Sequence, residues 1–523
     1  MTPLPLLLAL LGPAQSHTLR AVVRVDADGV HLEQAILVPG ELRQPPRSGA
    51  GPSLELVDDQ GRVLAAYPIP DSLTRSVILP DGGGATAVLD QAMAVVTLPW
   101  EEGAVAVRLD QQRLQPSPPP PGMLEPVSES GPSDERLDIV FLGDGYTAKE
   151  LDRFAEDVDR MVEHILSLEP YGAYSGLFNV WRIDQASTES GVSHNESLPP
   201  QVRDTAYGCF YGCGGVDSLL CCEDYAVVSE LQSLVPGYDG AVVLVNDPTY
   251  GGSSGWTYAT SYNGAQGPEV TAHELGHSLV GLWDEYSYGS SYSGADGPNC
   301  SCNPDALPWD HWLDLPSVDA YPTCSYTNYH RPTSNDCMMR SLQDQYCPVC
   351  REQAVLAIYG QLPGMVASTE PPQGPVAVEP GEVLTFSAQL LGPDDAPVAI
   401  WLLDGEPVGE GTSLTLEGDS LTLEGNCGTE AELLLQLSDP TEWVRADPGG
   451  LLTDQVSWTL QGQACDTAEP EDSGISEDSQ ERGDEPGPLC GCASGHTAGS
   501  GMFLLSLLGL TTRRLRSAAQ PQR

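Results

Sequence analysis

At 523 residues the chain exceeds the usual size of one domain, so about two to four domains are expected, each able to bury a core. Its 74 acidic side chains against 23 basic ones give a formal charge of −51, which excludes nucleic acid and disfavours an anionic membrane surface, since both need a basic face. The 14 cysteines, an even number, suit disulfides formed in an oxidising compartment.

Residues 4–11 form a short apolar run, followed by Gly12-Pro13-Ala14-Gln15-Ser16, with small residues at −3 and −1 of a cut after Ser16. A signal peptide over residues 1–16, lacking a basic n-region, and hence a secreted protein are predicted. Beyond it no run of eighteen apolar residues occurs that would span a membrane as a helix. Residues 17–114 read as short strands and hairpins of an N-terminal β-sandwich. Examples are Leu54-Glu55-Leu56-Val57, the turn Asp58-Asp59-Gln60-Gly61 and Arg62-Val63-Leu64, with a similar pair around Trp100-Glu101-Glu102-Gly103. Residues 115–135, with Pro116 and four consecutive prolines from Pro118, read as an extended linker.

From 136 to 362 strands and helices alternate, predicting a layered α/β domain. Residues 137–142 are a continuous apolar strand, and Thr147-Ala148-Lys149-Glu150 is a capping box opening a helix. Leu151, Phe154, Ala155, Val158, Met161, Val162 and Ile165 recur there at helical spacing and form a core stripe. Residues 178–183 and 241–245 supply further buried strands, and residues 253–263, with Trp256 and Tyr258, read as an edge strand able to pair with an extended peptide, or as a plain loop.

Pro268 then opens a helix carrying His273-Glu274-Leu275-Gly276-His277. Two histidines four apart project from one helix face and can share one Zn²⁺, while Glu274, one step round, reaches metal-activated water without being a third ligand. That set predicts one catalytic zinc on His273 and His277, with Glu274 catalytic as general base and then proton donor to the leaving amine. The chain has only 9 histidines, so chance placement is improbable. A catalytic zinc needs a third protein ligand. No glutamate lies between Tyr286 and Cys350, but Gly281-Leu282-Trp283-Asp284 places an acid just after a glycine that permits reversal, so Asp284 is the chosen third metal ligand. Glu285, His311 and His330 stay open as alternatives.

Asn335-Asp336-Cys337-Met338-Met339-Arg340 resembles the methionine turn beneath the zinc of metzincins, with either methionine eligible and core filling the plainer role. Cys347-Pro348-Val349-Cys350 reads as half of a structural zinc site or a redox pair; in an exported chain, disulfides with Cys324 and Cys337 fit better. Residues 370–463 return to strands, including 384–391, 398–403, 431–437 and 456–460, in an immunoglobulin-like β-sandwich that Cys427 and Cys465 are placed to staple. Residues 464–489 are acidic and Ser/Pro/Gly-rich, a solvated tether. In 490–523, Cys490-Gly491-Cys492 precedes a short apolar segment and Arg513, Arg514 and Arg516. That layout resembles the MYXO-CTERM sorting tag, which implies processing near the cysteine by a sorting peptidase, engagement of the membrane and surface anchoring.

Leu142-Gly143-Asp144-Gly145-Tyr146-Thr147, Tyr250-Gly251-Gly252, the block from His273 to Tyr286, Cys337-Met338-Met339-Arg340 and Cys347-Pro348-Val349-Cys350 together resemble the IgA peptidase family of bacterial zinc metallopeptidases. The resemblance implies a metzincin-like central domain, endopeptidase activity on protein or peptide substrates, zinc on His273 and His277, and Glu274 catalytic. It does not imply immunoglobulin as substrate. Compared with the wider metzincin pattern, one extra residue separates His277 from the glycine and an acid replaces the usual histidine. A tyrosine two positions after the methionine turn is also missing, which leaves Tyr286 and Tyr346 as candidates for stabilising an oxyanion. The competing readings are a surface adhesion or scaffold protein with a structural zinc, and an exopeptidase.

Overall fold

Alternation of apolar side chains in the first hundred residues produces two small antiparallel sheets over one core. His17–Asp26 pairs with Gly29–Pro39 on one side and Gln91–Pro99 on the other, while Ser53–Val57 lies between Val63–Pro68 and Ala106–Leu109 in a four-stranded sheet. Leu19, Ala21, Leu37, Leu54, Leu56, Leu98 and Leu109 fill the space between them. The predicted hairpin at 58–61 forms, its turn fixed by Asp58 Oδ1, which accepts from the Gln60 and Arg62 amides at 2.9 and 2.8 Å. The predicted pair around 100–103 does not: Gln91–Pro99 joins the first sheet and Ala106–Leu109 the second. Sheet membership is decided by the partners each strand finds, which a local turn signal does not carry.

The computed structural model describes residues 17–462 apart from 41, 43–51, 70–72, 80–82, 119–123, 256, 343–344, 380–381, 394–396 and 418–429. The signal peptide over 1–16, Trp256, the Cys427–Cys465 staple, the tether over 464–489 and the segment 490–523 fall outside these residues. Among the described residues no helix is long and apolar enough to cross a membrane.

An eight-stranded sheet forms the middle of the molecule, in the order Glu125–Ser128, Phe178–Ile183, Leu137–Asp144, Gly240–Val245, Ala259–Tyr262, Gly252–Ser254, Thr74–Ile78, Gly84–Val88. The four strands from Phe178–Ile183 to Ala259–Tyr262 run parallel. Every residue of Leu137–Asp144 and Gly240–Val245 is buried, as expected of strands covered on both faces. Helix α1, Leu151–Leu166, lays Phe154, Val158, Met161, Val162 and Ile165 against this sheet. Glu150 reaches back to the Thr147 amide and hydroxyl at 3.0 and 2.7 Å, so the capping interaction is made, but it closes a turn just before the helix. Helix α2, Asp224–Leu234, precedes the strand Gly240–Val245, and helix α3, Gly267–Leu275, follows Ala259–Tyr262 and packs on α1. Helix α4 is Pro348–Gln361.

The C-terminal strands form a three-stranded and a five-stranded sheet. Phe386 of the first packs on Trp458 of the second, with ring centroids 5.4 Å apart. This sandwich is tied to the middle body through buried polar contacts: the Tyr174 and Tyr359 hydroxyls both donate to Asp439 Oδ2, at 2.6 and 2.7 Å.

The predicted edge strand is only partly as expected. Gly252–Ser254 pairs with Ala259–Tyr262, but its other side is taken by Thr74–Ile78, through Ser254 opposite Ser76. A hairpin from the N-terminal part of the chain therefore occupies the position reserved above for an extended peptide. Long-range strand addition of this kind leaves no local mark in the sequence.

Candidate metal centre

Helix α3 begins with Pro268 in its first turn and runs as an α-helix to Leu275, then widens into a π-turn over Gly276–Val280. Such wide turns are commonest at functional sites. Gly281, at φ +84°, reverses the chain, its amide donating to the His277 carbonyl at 3.0 Å. The reversal brings Asp284 back beside the helix. His273 Nε2 and His277 Nε2 stand 3.3 Å apart, and each is 3.1 Å from Asp284 Oδ1.

The second nitrogen of each imidazole bears on what this triangle could hold. His273 Nδ1 faces the Met338 carbonyl at 3.0 Å, and His277 Nδ1 faces the Leu282 carbonyl at 2.7 Å. A carbonyl only accepts, so each Nδ1 donates, and a neutral ring then presents Nε2 as a lone pair. Two such lone pairs and a carboxylate oxygen converge on one point, a repulsive arrangement unless a cation stands there. Ligands about 2.0–2.2 Å from a tetrahedral centre lie about 3.3–3.5 Å from one another, close to the spacing found. The donor set thus fits a divalent metal such as zinc.

Glu274 points the same way. Its carboxylate is fully buried, and neither oxygen finds a hydrogen-bond partner among the described residues. Burial pushes its pKa well above the usual carboxylate range, and the Asp284 charge adds to this against the pull of His277. A cation beside it would favour the ionised carboxylate instead. For Asp284, burial disfavours the charge, but a proton on the adjoining imidazoles outweighs it and holds the carboxylate ionised. Against burial, Asp284 in turn raises the His277 pKa to about 9, so without a metal a proton stands between them in the place of the cation. Tyr288 supports it by donating to Asp284 Oδ2 at 2.5 Å.

The other candidates go elsewhere. Glu285 turns to the opposite side, against Cys350. His311 Nε2 pairs with Glu352 at 2.7 Å, and His330 Nδ1 faces the Ser301 carbonyl at 3.3 Å. Tyr346 sits behind α3, donating to the Ala272 carbonyl at 3.2 Å, so it cannot face a substrate oxyanion. Tyr286 is on the correct side, its ring nearly parallel to that of His273 with centroids 6.3 Å apart. Of the two methionines, Met339 lies under the helix: a Cβ on Gly276 would meet its sulfur at 2.9 Å. Met338 contributes its carbonyl to His273. Sequence reasoning missed this carbonyl, that of Leu282, and Tyr288; only the one-turn spacing of Tyr288 from Asp284 hinted at the last. It also missed Gly84, on the hairpin strand Gly84–Val88, where any Cβ would fall 1.7 Å from the Tyr286 ring. The hairpin therefore lies directly over the site.

The cysteine pairing differs from expectation. Cys300 joins Cys324, Cys209 joins Cys222 and Cys213 joins Cys221. Cys337, Cys347 and Cys350 remain thiols. Cys324 is already bonded to Cys300, so the predicted link from it to Cys347 or Cys350 is not made.

Residues 126–316 match the family described as IgA Peptidase M64. Over that span the chain is similar to this peptidase family. The family is one of metallopeptidases, and the matched span holds α3 and Asp284, where the acceptor triangle stands. No curated protein matches the chain. Among solved structures, a quinonprotein alcohol dehydrogenase-like protein from Bacteroides thetaiotaomicron is 16% identical with a TM-score of 0.13. The match covers 17% of this chain and 18% of that one, a likeness too slight to carry any argument.

Proposed function

We propose that the chain is a secreted or surface-displayed zinc metalloendopeptidase cleaving extracellular proteins or peptides, with a metzincin-like central domain. In this reading His273, His277 and Asp284 hold the metal and Glu274 is the general base. The observation that carries it is the convergence of two Nε2 atoms and one carboxylate oxygen within 3.1–3.3 Å, beside a buried carboxylate without hydrogen-bond partners among the described residues. Zinc bound there would supply Lewis acidity, polarising the scissile carbonyl and bringing the pKa of water toward about 7. Glu274 takes the proton from the attacking water and delivers it to the leaving amine. The Met338 and Leu282 carbonyls keep both imidazoles in one tautomer and orientation, and Tyr288 does the same for Asp284. The three disulfides among the described residues support export through an oxidising compartment.

A peptide that pairs with Gly252–Ser254 would run alongside α3, the usual strategy of strand addition. Thr74–Ile78 holds that edge, so the hairpin must yield before a substrate reaches Glu274. The full burial of His273 and Glu274 equally favours a second reading, a surface scaffold protein with a structural zinc. Metal content and casein hydrolysis, measured for the wild type and Glu274→Gln, separate the two. Zinc in both proteins with hydrolysis only in the wild type supports the peptidase; hydrolysis that survives the substitution, or is absent from both, refutes it.

A further inference from the structure

Beneath the acceptor triangle lies a second group of donors that the peptidase chemistry does not use. Cys347 caps α4 and Cys350 lies in its first turn, Cys337 begins the Met338-Met339 turn, and Glu285 follows Asp284. Cys337, Cys350 and Glu285 are fully buried and Cys347 is 2% exposed. Their ligand atoms all lie within 4.8 Å of one another. Cys337 Sγ is 3.6 Å from Cys350 Sγ, while Glu285 Oε1 is 3.2 Å from Cys350 Sγ and 4.0 Å from Cys347 Sγ.

We propose that Cys337, Cys347, Cys350 and Glu285 form a second, structural metal site that takes a zinc ion in a tetrahedral Cys₃Glu set. Thiolates about 2.3 Å and a carboxylate oxygen about 2.0–2.2 Å from one centre would lie about 3.5–3.8 Å apart, the middle of the observed range. The soft, mixed sulfur and oxygen set suits zinc, and four protein ligands leave no open position for catalysis. A disulfide fits less well. It would use two of three equivalent sulfurs and strand the third beside a buried carboxylate whose Oε2 has no hydrogen-bond partner among the described residues. A redox pair needs sulfurs that a partner thiol can reach, and these are buried.

The Cys347 amide donates to Cys337 Sγ at 3.5 Å, and both cysteines of the C-x-x-C pair sit at the positive end of α4. Three thiolates and a carboxylate leave a net negative charge after zinc binds, and Arg340, donating from Nη1 to the Glu285 carbonyl at 2.8 Å, offsets part of it. The site clamps three segments of the candidate active centre together. Glu285 anchors the turn that aims Asp284, Cys337 anchors the turn whose Met338 carbonyl orients His273, and α4 carries the remaining two ligands. None of the three cysteines lies within residues 126–316, the span matching the peptidase family.

Elemental analysis of the full chain, purified without chelators, tests the site independently of catalysis. The wild type should hold two zinc ions per chain, His273→Ala/His277→Ala one, and Cys347→Ser/Cys350→Ser one. If the cysteine variant fails to fold, a mercurial titrated into a native Cys302→Ser chain should release one zinc as the three buried thiols react. Cobalt loaded into the histidine double variant should show thiolate-to-cobalt charge-transfer absorption. A histidine variant without metal, or a disulfide among these cysteines in peptide maps taken without reduction, overturns the proposal. One zinc in both the wild type and the histidine variant would uphold this site while sinking the catalytic one.

Discussion

Asp284 and Glu285 are neighbours in the chain, yet their side chains enter two different donor clusters. Asp284 meets two imidazoles that sit one helical turn apart, so most of its cluster is written in five consecutive residues. Glu285 meets sulfurs from 52 to 65 positions downstream, gathered by a turn and a helix start. The first cluster keeps beside its ligands a carboxylate, Glu274, with no hydrogen-bond partner for either oxygen among the described residues; in the second, the one carboxylate is itself a donor of the set. In the roles proposed above, the contrast separates a site arranged to do chemistry from one arranged to hold segments together.

The largest effect expected from breaking this contrast is on Glu274. Glu274→Gln removes the proton carrier and none of the triangle, so casein hydrolysis should fall about 10²- to 10⁴-fold with metal content unchanged. Undiminished hydrolysis would dismiss Glu274 from the chemistry. Tyr288→Phe comes next. It deletes the 2.5 Å hydrogen bond to Asp284 Oδ2 and should weaken metal retention about 10- to 100-fold in competition with a chelator. The loss should be confined to the histidine cluster. Equal loss from both clusters would show that Tyr288 supports the fold in general rather than one ligand.

The hairpin offers a third way to sharpen the comparison, because it packs on Tyr286, beside the histidine cluster. Ser76→Pro removes a donor from the strand beside Ser254, at a cost of about 0.5–1.5 kcal/mol to the pairing, and should raise peptide cleavage severalfold through a larger open population. Unchanged kcat/KM alongside faster amide exchange in Gly252–Ser254 would mean that the cover opens without admitting substrate.

How much of this was legible follows from where each constraint lives. The strands at 137–142 and 178–183, the stripe from Leu151 to Ile165 and the positions of His273, Glu274 and His277 were readable because each is a local periodicity with one physical solution. Asp284 was reachable through Gly281, whose left-handed backbone marks the reversal. The hairpin over Tyr286, the Cys300–Cys324 pair and the meeting of Glu285 with three cysteines were not readable. Each depends on which distant segment arrives first at a buried surface, and residue type near either end does not encode that. Tyr346 failed as an oxyanion candidate for the same reason: proximity to the methionine turn placed it near the site, but only packing against Tyr171 shows that it faces the rear of α3.

The smallest expected effect concerns a local signal that was read correctly in kind but displaced by a turn. Glu150 closes the Thr147 turn ahead of α1 and receives further hydrogen bonds from Ser190 and Asn246. Burial disfavours its charge, but these donors outweigh burial and hold its pKa at about 2, below the ordinary 4.5. A carboxylate depressed in the folded state contributes stability that is fully present above its unfolded pKa and is lost as pH falls through the folded one. Glu150→Gln should therefore cost about 0.5–1 kcal/mol near pH 7, a typical capping loss, and the gap from wild type should narrow as pH drops from about 5 towards 3. Urea unfolding across that range provides the measurement. A gap that stays constant with pH would mean that the turn is held by the shape of the side chain and not by its charge.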